Sequence, residues 1–459
     1  MSRHTHTTLT VSTLALTALL ASCGRTTAPQ ISASTDAVMT VLQPGTATDA
    51  QLEATYGGHL ITRTPGFAVL TLSSQSARLA PLSAKVKVEK NHNVFRVGKG
   101  KGQTNTTVSG SGSIGVWGNG SIGVWGNGSI GVWGNGSIGV WGNGSIGVWG
   151  NGSIGVWGNG SIGVWGNGEY KPIPQNSDTW QQISLNAVQS TERAGGVGMT
   201  VAVIDTGVDL NHPAIRGGFT DPTTWHDFVD GDATPQDEGT LGSGLSGHGT
   251  EVAGIVAQVA PVAKIMPLRV LAADGTGDVA SVAAAIVWAT DHGANVINLS
   301  LGSAEPVTAV TQAIAYANSH GVAIAAAAGN AGTEGLDYPA AEFASQPLNI
   351  AVGSVDLHDA KSAFSQYASN LELLAPGERV FGPAPQERFA AWSGTSMSAP
   401  VVAGGLALGM SVGANGAQAA AALTSTATSV DTVSGNASYA GKLGAGRVNL
   451  DAAIASLGH

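Results

Sequence analysis

Gly394-Thr395-Ser396-Met397-Ser398-Ala399-Pro400 leads directly into Val401-Val402-Ala403-Gly404-Gly405-Leu406-Ala407-Leu408, a run of small and apolar residues without a charge. Such a run reads as a buried helix, and the Gly-Thr turn delivers Ser396 to its N-terminus. Unpaired N–H groups and the positive end of the helix dipole stabilise negative charge there. That suits a serine that attacks a carbonyl and leaves an oxyanion beside it. The same position also suits a plain helix cap, so the stretch needs partners elsewhere to become a site.

Two stretches upstream supply them. Val201-Ala202-Val203-Ile204 is a short β-branched run ending in Asp205-Thr206-Gly207, which puts a carboxylate at the C-terminal end of a buried strand. Ser246-Gly247-His248-Gly249-Thr250 opens a pattern with Val252, Ile255, Val256 and Val259 at helical spacing, so an imidazole starts a helix. An orienting acid, a base and a nucleophile, each at an element end, are what acyl transfer requires. Apolar runs at 264–271, 295–301, 322–328 and 349–355 alternate with helical patterns at 279–292 and 306–320. This predicts an α/β fold, a parallel sheet covered by helices on both faces, with its site at the strands' C-terminal ends.

From about Thr179 to the C-terminus the chain resembles the subtilisin-family (subtilase) serine peptidases. The resemblance rests on Asp205-Thr206-Gly207, His248-Gly249-Thr250, Val296 to Gly302, Ala327-Ala328-Gly329-Asn330 and the Ser396 stretch, in the chain order Asp, His, Ser that subtilisin shows. It implies Asp205, His248 and Ser396 as the triad, with the Asn330 amide joining the Ser396 N–H in the oxyanion hole. It implies protein or peptide substrates that pair as extended strands with the backbone near Thr276-Gly277-Asp278 on one side and Ser300-Leu301-Gly302 on the other. It also places Asp337, before Tyr338-Pro339, at the base of the pocket for the side chain preceding the scissile bond, where relatives usually carry a small neutral residue. A carboxylate there favours Arg or Lys. With Asp337 turned to solvent, walls of Ala326, Ala327 and Ala328 would favour large apolar residues instead.

The chain departs from the family in places. Subtilases often carry a calcium loop inside the helix after the His motif, whereas Ala257-Gln258-Val259-Ala260-Pro261 runs straight through, so that site is expected to be missing and no metal ligands are assigned. Calcium remains a candidate only for the acidic loop of Asp227, Asp230, Asp232, Asp237 and Glu238. Its spacing fails the EF-hand pattern and reads better as a solvated loop. Glu251 and Val401 stand where histidine is common in relatives.

The N-terminal part reads as three further segments. Residues 1–22 form a secretory signal of the lipoprotein type: the apolar run from Leu9 to Ala21 is too short to span a membrane, and Leu20-Ala21-Ser22-Cys23 resembles a bacterial lipobox. Cys23 is the only cysteine, which rules out an intrachain disulfide and makes it the expected lipidation site and membrane anchor. After a tether at 23–36, residues 37–100 carry strand-like runs at 38–42, 60–72 and 86–97 and a helix around Asp49 to Tyr56. In size, order and position they resemble the inhibitory prodomain of subtilases.

Residues 101–168 are expected to link that unit to the peptidase domain at 169–459. Seven identical copies of Ser-Ile-Gly-Val-Trp-Gly-Asn-Gly fill 113–168 without a charge. The alternating Ile and Val and the Asn-Gly turn allow a strand in each octad, stacked on the next copy. Three glycines per octad favour a flexible linker instead. Over the whole chain charged residues are only 11% and the net charge is −10, with no basic cluster, so nucleic acid is excluded as a partner.

Two rival functions fit less. Asp205-Thr206-Gly207 also resembles the turn of aspartic proteases, but those pair two such turns and this chain has one. A surface-display or adhesion protein, whose peptidase serves only self-processing, is the other.

Overall fold

The computed structural model describes residues 37–73, 85–91, 173–190 and 195–458, together with seven four-residue strands in the octapeptide tract. The expected signal, the tether with Cys23 and the end of the N-terminal unit lie outside the described residues. Among the described residues no single helix is long and apolar enough to cross a membrane.

In the N-terminal unit, β1 (Ala37–Leu42), β2 (His59–Arg63), β3 (Phe67–Leu72) and β4 (Val86–Lys90) form an antiparallel sheet of order β2-β3-β1-β4, with α1 (Asp49–Tyr56) between β1 and β2 in the chain. The run expected as one strand from Leu60 to Leu72 is a hairpin. Thr48 and Gln51 close a capping box on α1, and Gly57 ends it in a left-handed conformation. Alternation gives the sheet two apolar faces. Met39, Val41, Leu70 and Leu72 enclose Leu52 of α1, while Val38, Phe67 and Val69 join the core of the large domain.

In the octapeptide tract the strands are β5 (Ile114–Trp117), β6 (Ile122–Trp125), β7 (Ile130–Trp133), β8 (Ile138–Trp141), β9 (Ile146–Trp149), β10 (Ile154–Trp157) and β11 (Ile162–Trp165). Each pairs in parallel register with the second copy along, not the next one, so octads alternate between sheets of order β11-β9-β7-β5 and β10-β8-β6.

The large domain begins with α2 (Ser177–Gln182) and α3 (Leu185–Ser190). Its sheet comprises β12 (Thr200–Asp205), β13 (His226–Asp227), β14 (Lys264–Arg269), β15 (Val296–Leu299), β16 (Ala323–Ala327), β17 (Asn349–Val355) and β18 (Leu373–Pro376). Every pairing is parallel, in the order β13-β14-β12-β15-β16-β17-β18. Around it stand α4 (His248–Val259), α5 (Val279–Asp291), α6 (Thr308–Ser319), α7 (Thr395–Ser411), α8 (Gly416–Ser425) and α9 (Leu450–Ser456), with a hairpin of β19 (Val380–Ala384) and β20 (Arg388–Trp392).

Two-residue alternation sends side chains to opposite layers. Ala202, Ile204, Ile324 and Ala326 meet α5 and α6, whereas Val201, Val203, Ala323 and Ala325 meet α4 and α7. This is the subtilisin-like α/β fold expected, and both faces being covered explains the unbroken apolar strands. The helix α4 runs without interruption to Val259.

Candidate active site

Asp205 is the last residue of β12 and His248 the first of α4. Their meeting is built by the residues that follow each. The Gly249 N–H donates to Thr206 Oγ1 at 2.9 Å, and a β-carbon on Gly249 would stand 2.2 Å from the Gly207 carbonyl oxygen, so only glycine lets the helix start approach the strand end. The Asp209 N–H donates to Thr250 Oγ1 at 2.9 Å, and that hydroxyl donates to Asp237 Oδ2 at 2.6 Å. The Thr and Gly of the two short motifs therefore interlock.

Held this way, His248 Nδ1 lies 2.7 Å from Asp205 Oδ1, which also accepts the Thr206 N–H at 2.7 Å. Both side chains are buried, at 3% and 0% exposure. A buried carboxylate on one ring nitrogen fixes the tautomer and leaves the other nitrogen as base. Trp392 of β20 packs edge-on against the imidazole, with ring centroids 5.7 Å apart. Sequence reading missed this residue, although its aromatic ring three positions before Thr395 was a signal to hand.

Ser396 sits in the first turn of α7, behind Gly394. Its hydroxyl donates to the Ser300 carbonyl at 3.2 Å, and Ser300 Oγ donates to the Ser396 carbonyl at 2.7 Å. Ser300 is fully buried, its side chain committed to Ser396. Asn330, beyond the end of β16, accepts the Thr395 N–H at 2.8 Å and hydroxyl at 3.0 Å through Oδ1. Its Nδ2 lies 3.5 Å from where a β-carbon on Gly394 would sit. An N–H at the α7 start and an amide beside it are what a developing oxyanion needs.

The neighbouring strands β15 and β16 are followed by Ser300-Leu301-Gly302 and Ala328-Gly329-Asn330, and Asp337-Tyr338 ties the two segments together. The Asp337 N–H donates to the Ala328 carbonyl at 2.9 Å, while Tyr338 and Ser303 exchange two backbone bonds of 2.8 Å. Between the strand ends, a β-carbon on Gly302 would lie 3.0 Å from Asp337 Cβ, and one on Gly329 would lie 2.6 Å from Asp337 Oδ2. The Asp337 side chain thus packs against both glycines, where any side chain at either position would meet it. Gly277 forms an antiparallel bridge with Leu271, next to Asp278, whose carboxylate caps α5.

The acidic loop is solvated at Asp230, Asp232 and Glu238, as expected, but it is also tied inward. Arg269, at the end of β14 and 3% exposed, reaches Asp227 at 2.8 Å, Asp230 at 2.7 Å and Glu238 at 2.8 Å. An internal guanidinium thus engages three of the five carboxylates that were candidates for calcium, Asp227, Asp230 and Glu238, and supplies the positive charge there. Among the described residues no group of three or more His, Cys, Asp and Glu side chains could hold a metal. Asp237 is apart from this cluster: it accepts the Gly247 N–H at 3.0 Å and caps α4, and burial pushes its carboxyl up to about 7.

Residues 196–446 match the model of the Subtilase family. The chain belongs to the subtilase family. It is 40% identical over 280 residues to thermitase of Thermoactinomyces vulgaris, covering 59% of this chain and 93% of that one. It is likewise 40% identical over 226 residues to subtilisin BL of Lederbergia lenta, covering 46% and 76%. Among solved structures, a protease of Pseudoalteromonas arctica superposes with a TM-score of 0.53 at 28% identity, covering 62% of this chain and 98% of that one. This subtilase is accordingly a subtilisin-like serine endopeptidase, a hydrolase of peptide bonds.

Proposed function

We propose that this subtilase is an exported, lipid-anchored precursor that processes itself and then cleaves protein or peptide substrates through an acyl-enzyme. His248 takes the Ser396 proton, Asp205 orients the imidazole, and Ser396 attacks the scissile carbonyl. The Ser396 N–H and Asn330 Nδ2 receive the oxyanion, and water releases the acyl group. The observation that carries this reading is the 2.7 Å contact between the buried Asp205 and His248 at the ends of β12 and α4. Asp337 is the selector of a basic side chain before the scissile bond, a role supported by its place between Gly302 and Gly329. Residues 37–100 act as an inhibitor, supported by the packing of Val38, Phe67 and Val69 into the core of α5 and α6. The signal at 1–22 exports the chain and lipidation of Cys23 tethers it to the membrane until a cut beyond the inhibitor frees the peptidase.

Mass spectrometry and N-terminal sequencing of protein from cells making wild type or Ser396→Ala test this. Wild type should begin beyond the N-terminal unit, and the variant should accumulate with that unit attached. Normal processing of Ser396→Ala would assign maturation to another protease. The regular pairing of the octapeptide strands favours the display alternative; full biological activity of Ser396→Ala would establish it.

A further inference from the structure

The octapeptide tract has no part in the peptidase chemistry, yet its pairing is regular. Every described pair is parallel and joins equivalent positions of two octads, as in Ile162 with Ile146, Val164 with Val148 and Trp165 with Trp149. A parallel sheet has two unlike edges, and in the sheet of order β11-β9-β7-β5 the outermost strands carry the same Ile-Gly-Val-Trp sequence as the inner ones. Among the described residues nothing pairs with the outer side of β5 or of β11. The outer side of β11 therefore presents the backbone groups that β9 offers to β11, and the outer side of β5 presents those that β7 offers to β5. Proteins blunt such edges with lysine, proline, charge or a bulge. Between Ser113 and Gly168 there is neither a charge nor a proline, and no strand pair shifts register. Repeat stacks also end in units that differ from the inner ones, whereas all seven octads are identical.

We propose that the tract is an assembly surface for a second copy of this chain: the β11 edge of one copy accepts the β5 edge of the next, in the register that joins β9 to β11 within a copy. Main-chain hydrogen bonds supply the affinity of an added strand, and matching residues set its register. The occupant is another copy because its tract matches that edge residue for residue, as an uncharged partner of the same strand length. The two edges differ, so the contact is heterologous and joins copies head to tail instead of closing a two-fold dimer. Each copy lengthens the four-stranded sheet by about 19 Å, at about 4.8 Å per strand. A domain of the size of the peptidase is about 50 Å across, so crowding of the large domains holds the assembly to a few copies. The triad has no part in this contact, which stands or falls apart from the catalytic reading.

The test uses the full chain with Ser396→Ala and Cys23→Ser, which blocks self-cleavage and removes the only native thiol together with any lipid on it. In analytical ultracentrifugation its weight-average mass should at least double over a hundredfold rise in concentration, and the same chain without residues 113–168 should stay at the mass of one copy. A parent that stays monomeric throughout, or association that survives removal of the tract, overturns the proposal. Two single-cysteine derivatives then test the register, Val116→Cys in β5 and Val164→Cys in β11. Across the junction these positions face each other at about 4.8 Å between Cα atoms, inside the range of about 4.4 to 6.8 Å that a disulfide spans. Mild oxidation of the mixture should give several-fold more disulfide dimer than either protein alone. Equal yields from the mixture and the separate proteins, or no dimer at all, overturn head-to-tail pairing. Should the cysteine derivatives fail to fold, the ultracentrifugation of the parent and of the shortened chain decides.

Discussion

Glu89 and Thr308 are 219 positions apart, and the Glu89 carboxylate closes the N-terminus of α6: Oε2 accepts the Thr308 N–H at 2.9 Å and Oε1 the Thr308 hydroxyl at 3.0 Å. The preceding Val307 offers no side-chain cap. The N-terminal unit thus supplies a helix end in the large domain with the acceptor and the negative charge that it lacks. Glu89→Ala, made in the inactive Ser396→Ala chain, should weaken docking by about 1 kcal/mol. Hydrogen exchange at the Thr308 amide should quicken accordingly, and unchanged protection would show that the cap is idle.

Asn330→Ala should lower kcat by roughly 10²- to 10³-fold with little change in KM, because the proposed function makes the amide a transition-state donor; the size is taken from an equivalent loss in subtilisin. Asn330 also accepts two bonds from Thr395 through Oδ1. Asn330→Asp keeps that acceptor and removes the donor, so it should be as slow as the alanine variant. Recovery of activity in Asn330→Asp would assign the residue to positioning Thr395 alone.

Glu251, in the first turn of α4, is wholly buried against Gly382 of the β19–β20 hairpin, and burial pushes its carboxyl well above the usual range. The unfolded chain gives up this proton near pH 4 and the folded chain only at much higher pH. The contribution of Glu251 to stability is therefore fully present in acid and is lost as pH rises through the interval between the two. Glu251→Gln, which has no proton to lose, should flatten that decline. Thermal melts in the Ser396→Ala background should place its midpoint above the parent's at pH 8 and near it at pH 4; parallel curves across the range would refute the assignment. Asp237, raised to about 7 by burial, adds a decline of the same sign between pH 4 and 7.

Arg269→Met should cost about 3 to 5 kcal/mol, the penalty for breaking a buried ion pair. Asp227, 1% exposed, would be left without its counter-charge. Urea unfolding of the inactive chain measures this. A double change, Arg269→Met with Asp227→Asn, should recover part of the loss, and equal instability of the two proteins would locate the cost in packing.

Much of the architecture was legible because its parallel strands are continuous apolar runs. The limits of the Asn349–Val355 strand agree with the sequence reading, and others shift by a residue or two at ends where periodicity fades. The hairpin of β19 and β20 was not anticipated, since Gly382 and Pro383 interrupt its first strand and its pattern resembles a loop. Nor was β18, only four residues long and ending at Pro376. In the octapeptide tract three glycines per octad favoured a linker, whereas the structure has a strand in each copy; the alternating Ile and Val allowed strands without marking which copy each joins. Identical octads satisfy every register equally, so only the three-dimensional path pairs alternate copies.

By itself the sequence determined the chemistry at the ends of the elements: a carboxylate closing a strand, an imidazole and a hydroxyl opening helices, an amide following another strand. Those positions follow from local patterns, and burial on both faces fixes where the strands lie. Tertiary structure decided which groups meet across long separations. It brought Gly249 against Gly207, wrapped the acidic loop around Arg269, set Trp392 on the imidazole and turned the Gln366 amide toward Asp337. None of these contacts leaves a periodic trace in the chain, because each depends on the direction of a side chain after the sheet and helices have packed.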